Sequence, residues 1–271
     1  MEPRILFLGT GGDSFVVGKQ RRSSAGIIIR THGYQFLIDP GPGVLMKAKE
    51  YRCNLRETTC VLASHAHMNH SHDLNAVVSA MTYNGFDRYG VIVGSKSVVQ
   101  GTENLPAPLT PFFRDCVERV IQVAPGQKVG IEAIEILALP TTHSDETCVG
   151  FKFFTPDFVL AYSSDTTYNK EAVKQYANSD ILILNCVYPA SEKQNEHLND
   201  EDVTKIIKKA QPKMCVMTHF GSKILDNDPL YMAREVQKAT GVQVIAAVDG
   251  LELHPLSYSA RMNQRTLNLY S

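Results

Sequence analysis

The sequence predicts an α/β fold built as one domain over residues 1–271, and three observations carry that expectation. Apolar runs of strand length alternate with stretches of helical period along the chain. An apolar content of 44% and a charged content of 20% are those of a globular chain with a large core. No low-complexity segment or linker divides the run, and α/β folds of this length often keep one core.

Composition also excludes several roles. A formal net charge of −1 gives no overall electrostatic case for nucleic acid. No stretch approaches the roughly 20 apolar residues that cross a bilayer, so no membrane partner is expected. The opening MEPRILFLGT has too short an apolar run, and no small-residue cleavage site, for a signal peptide. Six cysteines (Cys53, Cys60, Cys116, Cys148, Cys186, Cys215) are scattered without a CxxC pair and read as reduced thiols. The expectation is a cytoplasmic protein.

Taken in order, ILFLGT (5–10) is a strand that runs into a turn at Gly11 and Gly12. AGIIIR (25–30) and YQFLID (34–39) form a hairpin through Thr31, His32 and Gly33, with His32 solvated at its tip. IDPGPG (38–43) breaks the sheet and leads into a helix from about Val44 to Tyr51. Leu74, Val77, Val78 and Met81 recur at helical spacing, and Asn84-Gly85 closes that helix. Residues 86–128 hold a strand at 90–94 and a proline-bearing loop at 102–113, expected to be a lid or substrate wall. Strands follow at 131–138, 150–154, 158–165 and 181–186. Asn199 caps a helix carrying Val203, Ile206, Ile207 and Ala210, which Pro212 stops. A strand within 213–221 ends near His219; Asp228-Pro229 opens and Gly241 closes the last helix; VQVIAAVDG (242–250) is the final strand.

The chemistry concentrates in residues 61–74, VLASHAHMNHSHDL. An apolar run ends at Ala63, and His65, His67, His70 and His72 follow within eight residues. Imidazoles are costly to bury without partners, and a transition metal is a partner that neutral imidazole binds well. Further on, His143, Asp165 and His219 each sit in a polar turn just after a buried strand. Loops at strand ends are where α/β folds gather functional side chains. These residues together point to a metal site.

Residues 65–70, HAHMNH, with His143, Asp165 and His219 following, resemble the signature of the metallo-β-lactamase superfamily, HxHxDH then a distant His, Asp and His. The opening LGTGG and the IDPGPG turn extend the likeness over nearly the whole chain. The resemblance implies a four-layer αββα sandwich with a two-metal site at one edge of the sheets. It implies that His65, His67 and His143 bind one metal, that position 69, His70 and His219 bind the other, and that Asp165 bridges both. Two cations roughly 3.5–4 Å apart would ionise a bridging water near neutral pH and neutralise an anionic substrate. Imidazole and carboxylate ligands suit Zn²⁺, with Mn²⁺ or Fe²⁺ as alternatives.

Position 69 departs from the signature, because Asn69 stands where it has aspartate. An amide neither carries the charge of a ligand nor accepts the proton of the attacking water. Two readings follow: natural divergence to a weaker second site or a single metal, or an introduced Asp-to-Asn change that disables hydrolysis while retaining bound substrate. The intact ligands elsewhere favour the second. A frame shifted to His70-x-His72 finds no acid and His downstream, so His72 is assigned to a helix's first turn and Asp73 to that helix's N-terminus.

YSSDT (162–166) resembles the Asp-Thr motif of ribonuclease Z and the cyclic phosphodiesterases, and HLNDEDVTKIIKKAQPKMCVMTHFG (197–221) resembles ribonuclease Z's approach to its last histidine. That likeness makes His197 a proton donor to the leaving oxygen, the alternative being a helix-capping residue. Ser144, Ser163 and Ser164 are candidate phosphate donors, and Lys19, Arg21 and Arg22 form a basic run that either meets phosphate or is a solvated loop. No long glycine-proline arm for gripping transfer RNA is present. The function expected is a metal-dependent phosphodiesterase for a small nucleotide, cyclic phosphate or short RNA. A lactonase or thioesterase, and a catalytically silent binding protein, are its rivals. A homodimer is left open.

Overall fold

The computed structural model describes residues 2–24, 26–192 and 195–258. Six strands lead the chain: β1 (Arg4–Phe7), β2 (Ile27–Thr31), β3 (Tyr34–Ile38), β4 (Thr58–Ala63), β5 (Val91–Gly94) and β6 (Arg119–Gln122). Then come β7 (Lys128–Ile131), β8 (Ile134–Pro140), β9 (Val149–Phe154), β10 (Val159–Tyr162), β11 (Ile181–Tyr188), β12 (Leu198–Asn199), β13 (Met214–Thr218), β14 (Gln243–Ala246) and β15 (Glu252–Leu253). One sheet has the order β15-β1-β2-β3-β4-β5-β6; the other runs β14-β13-β11-β10-β9-β8-β7, with β12 added beside β11.

Period-2 alternation builds the layers. Ile5 and Phe7, Ile27 and Ile29, Ile181 and Ile183 point into a core shared by the two sheets. Their neighbours Leu6, Leu8 and Ile28 face outward under helices carrying Val44, Leu74, Val77 and Met81. Leu182 and Leu184 face the other way, under Val173, Val203, Ile206, Ile207 and Val236. Both faces of each sheet are thus buried, which is why strands such as ILILNC read as unbroken apolar runs. The result is the αββα sandwich. All six cysteines are buried free thiols. Among the described residues no helix is long and apolar enough to cross a membrane.

Each sheet is parallel on one side and antiparallel on the other. β3 through β6 are parallel, as are β10, β11, β13 and β14. The carboxyl ends of these strands meet at one edge of the sandwich, and there the chain turns sharply. Asp39, Ser164 and His219, just beyond β3, β10 and β13, have φ of 49°, 55° and 60°. Non-glycine residues pay for that conformation in strain, and they keep it where the site requires it.

Several local expectations change. The single strand at 131–138 is the hairpin β7–β8, because Glu132 turns the chain with φ 53° and carries no glycine or asparagine to announce it. The last strand stops at Ala246, and the chain crosses to pair β15 with β1 in the other sheet. His32 at the β2–β3 turn is paired with Asp157 at 2.8 Å instead of only being solvated. Residues 86–128 supply β5 and β6, and their loop is tied to the Leu74–Thr82 helix, where Asn75 donates to the Pro108 carbonyl (2.7 Å) and accepts from Thr110 N–H (3.1 Å). Asp73 spends its carboxylate on Gly43 N–H at 3.0 Å and leaves the helix it precedes without a side-chain cap.

Candidate metal centre

The structure brings His65, His67, Asn69, His70, His143, Asp165 and His219 to that edge. His67 Nδ1 lies 3.0 Å from His65 Nε2 and 3.1 Å from His143 Nε2. His70 Nε2 lies 3.1 Å from both Asp165 Oδ2 and His219 Nε2. His219 Nε2 is 3.5 Å from Asp165 Oδ1. Histidine 72 is exposed and takes no part.

The outward nitrogens settle the tautomers. His143 Nδ1 is 3.1 Å from the Glu196 carbonyl, so it carries the hydrogen and Nε2 faces inward as a lone pair. His70 Nδ1 donates to Asp39 Oδ2 at 2.9 Å. Ser64 Oγ donates to the same oxygen (2.9 Å) and accepts from His65 Nδ1 (2.9 Å). The inward atoms are therefore acceptors crowded on acceptors: three imidazole nitrogens have room for one hydrogen, and the His70 lone pair faces a carboxylate. Such a cluster needs a proton or a cation at its centre. Burial opposes charging His70, but Asp165 and Asp39 overcome it and push that ring up to about 10. Burial, helped by the neighbouring imidazoles, keeps His65 and His67 low. Burial would raise Asp165, yet His219, His70 and His197 hold its carboxyl well below the carboxylate range. The donor set fits divalent metal: His65, His67 and His143 converge as one group, and His65, His70 and Asp165 as a second.

Asn69 is oriented by its surroundings. Its Nδ2 donates to the Gly12 carbonyl (3.2 Å) and lies 3.1 Å from His219 Nε2. Turning the amide over would set Oδ1 against the Gly12 carbonyl, so the side chain presents N–H to the cluster. Ser24 Oγ fixes the Asn69 carbonyl at 2.8 Å.

Sequence reasoning missed the residues that hold these ligands. Asp39 was visible only as part of a sheet-breaking turn. Asp145 accepts from Ala66 N–H at 3.2 Å and ties the His143 turn to the histidine cluster. Asn185 donates to Asp165 Oδ1 at 2.7 Å. Asp249 accepts from Thr10 N–H and hydroxyl (2.9 and 2.7 Å) and from Ser23 N–H (2.7 Å), pinning the LGTGG loop. That loop passes so close that a Cβ on Gly12 would stand 2.1 Å from the His219 carbonyl oxygen. Gly12→Ala is accordingly expected to cost about 3 kcal/mol through backbone displacement. A urea midpoint equal to the native one would show that the loop can retreat.

Other candidates lie elsewhere. Ser163 and Ser164 are fully buried, Ser163 Oγ donating to the Ser164 carbonyl (2.8 Å), so neither is a donor to a ligand. Arg21 pairs with Asp226 at 2.8 Å, and Arg22 bonds Thr10 Oγ1 (3.0 Å) and the Ala247 carbonyl (3.3 Å). His197 does not cap its helix; Asn199 does, accepting from Asp202 N–H at 2.9 Å. A cleft of about 480 Å³ opens over the cluster between residues 12–18, 67–69, 187–188 and 196–197. No residue of 86–128 is among those that line it.

Imidazoles and a carboxylate gathered at the strand ends of an αββα sandwich define a metallohydrolase-type protein. The chain belongs to the beta-lactamase superfamily domain family, whose model matches residues 34–220, and so to the metallo-β-lactamase superfamily. It is 29% identical over 259 residues to an uncharacterized protein of Methanocaldococcus jannaschii, covering 95% of this chain and 97% of that one. It is 21% identical over 273 residues to ribonuclease Z of Clostridium kluyveri, covering 82% and 89%. The metallo-beta-lactamase fold protein YhfI of Bacillus subtilis shares the fold, with a TM-score of 0.77 at 21% identity over 93% of this chain and 99% of that one.

Proposed function

We propose that the chain is a metal-dependent phosphodiesterase acting on a small nucleotide, cyclic phosphate or short RNA. His65, His67 and His143 hold one divalent ion; Asn69, His70 and His219 line the place of a second, with Asp165 between them. Divalent cations there supply an acidic water and neutralise an anionic substrate. The imidazole-rich set suits zinc.

The observation that carries the reading is His197. Its Nδ1 is buried with no hydrogen-bond partner. It lies 3.7 Å from Asp165 Oδ2, beyond hydrogen-bond reach, and the ring lines the cleft. Burial lowers this ring to about 4. A phosphate anion in the cleft beside the His197 ring favours the protonated form, so substrate itself charges the group that hands a proton to the leaving oxygen. The likeness to ribonuclease Z supports a phosphodiester over a carbon ester. His197→Ala is expected to lower kcat on bis-p-nitrophenyl phosphate by about a hundredfold with zinc content unchanged. Zinc lost together with activity would make His197 a ligand instead.

The N–H face that Asn69 turns toward His219 favours a second reading, a protein that binds and does not cleave. Zinc-loaded native and Asn69→Asp proteins, assayed on bis-p-nitrophenyl phosphate, an acyl lactone and a thioester, separate these. Turnover of the phosphodiester is expected. Turnover of only the carbon esters would make the chain a lactonase or thioesterase, and none by either protein would leave the silent binder.

A further inference from the structure

The wall of the cleft says what kind of phosphodiester it takes. Among the described residues that line it there is no lysine or arginine, whereas Asp13, Asp165 and Glu196 are there. Of the nearby basic run, Arg21 pairs with Asp226 and Arg22 bonds Thr10 and the Ala247 carbonyl, while the exposed Lys19 does not line the cleft. Proteins that grip polyanions do so with lysine and arginine on phosphates, or with a basic groove tracking the strand. Among the described residues no such groove lines this cleft.

Apolar side chains stand in their place. Phe15 is 68% exposed and Met68 63% exposed, and both line the cleft with Val17 and Pro42. Phe15 sits on the short Ser14–Gly18 helix, where Val16 turns inward and anchors the segment. Asp13 fixes that helix's start, accepting from Val16 N–H (2.7 Å) and Ser222 N–H (2.7 Å). The aromatic ring is thus held at the mouth on a tethered turn without being used in the core. An exposed phenylalanine and an exposed methionine lining one cleft offer a stacking surface for a flat ring.

We infer that the substrate is a phosphodiester with a single negative charge and an aromatic substituent, which stacks on Phe15 and Met68 while the phosphate sits over the histidine cluster. This rests on the phosphodiesterase reading and narrows it. Nucleoside diphosphates and polynucleotides are poor ligands, because their further charges meet carboxylates and, among the described residues that line the cleft, no side-chain cation. The volume, about 480 Å³, suits a ligand of mononucleotide size.

The test uses the zinc-loaded full chain with three probes: bis-p-nitrophenyl phosphate, ethyl p-nitrophenyl phosphate and an end-labelled RNA of about ten nucleotides. Phe15→Ala is expected to raise KM for bis-p-nitrophenyl phosphate about tenfold with kcat within a factor of two, since the stacking contact is the same in the ground and transition states. Phe15→Tyr retains the native KM. Saturation-transfer NMR with the intact diester reads the same contact without turnover, and its aryl signal weakens in Phe15→Ala. RNA is expected to show a KM well above that of the diester. An unchanged KM and aryl signal in Phe15→Ala, or a lower KM for RNA than for the diester, would overturn the inference. If no ester is cleaved while Phe15→Ala still weakens the aryl signal, the hydrolytic reading falls and the stacking surface stands.

Discussion

Asp39→Ala is expected to cost the fold about 3–5 kcal/mol and to weaken zinc binding by about ten- to a hundredfold. Asp39 is 1% exposed and collects its partners from the turn after β4, the short Met68–Ser71 helix and the end of β10. Oδ1 accepts from Ser64 N–H at 2.7 Å. Oδ2 accepts from Ser64 Oγ (2.9 Å), His70 Nδ1 (2.9 Å) and Tyr162 hydroxyl (2.7 Å). Deleting the carboxylate orphans these buried donors, and each orphan costs about 1–3 kcal/mol before the site relaxes. Against a typical total of about 5–15 kcal/mol, that is a large fraction. The same deletion frees both halves of the cluster, since Asp39 orients His70 directly and His65 through Ser64. Asp39→Asn separates the two effects. It keeps the volume, so most of the fold survives, yet its NH₂ faces donors and His70 loses the tautomer that turns Nε2 inward. Urea unfolding reads the first effect, and zinc competition against a chromophoric chelator reads the second. A folded Asp39→Asn protein that bound zinc with native affinity would show that the rings need no outer partner.

What the sequence shows best is what repeats or what carries costly chemistry. The buried strands announce themselves because both faces are covered. The histidines do so because imidazoles are seldom packed so densely without a reason, and the chain's turns bring His65, His67, His70, His143, Asp165 and His219 together at one edge. The partners of those residues are silent for the opposite reason. Asp39, Asp145, Asn185 and Asp249 are ordinary polar residues in turns or strands, and only distance reveals their work. Ser163 and Ser164 show the converse: serines beside an acidic ligand look like phosphate donors, yet the bend at Ser164 turns them into the protein. The turn at Glu132 lacks the residues that usually mark one, and the Ser14–Gly18 helix, though Asp13 caps it, is too short to show a helical period. The Lys170–Tyr176 helix does carry a sequence signal, since Asn169 caps it and Val173 and Tyr176 share its buried side.

Asn69→Asp is expected to raise bound zinc toward two ions per chain and kcat on bis-p-nitrophenyl phosphate by about a thousandfold, within the range a positioned acid or base contributes. The metal-free protein should respond in the opposite direction. The native amide donates to the Gly12 carbonyl at 3.2 Å. A carboxylate there exchanges that hydrogen bond for a contact between two acceptors, next to the already anionic Asp165. Without metal, Asn69→Asp should therefore unfold at lower urea, by about 1–3 kcal/mol. Zinc should reverse the order, because a ligand that binds only the folded state stabilises it in proportion to its affinity. The sign change distinguishes a ligand position from a merely structural one. Melts with EDTA and with zinc, together with metal content by mass spectrometry, measure it directly. If the variant binds no more zinc, gains no activity and stays less stable under both conditions, position 69 serves the Gly12 loop, and the amide is the residue the fold requires.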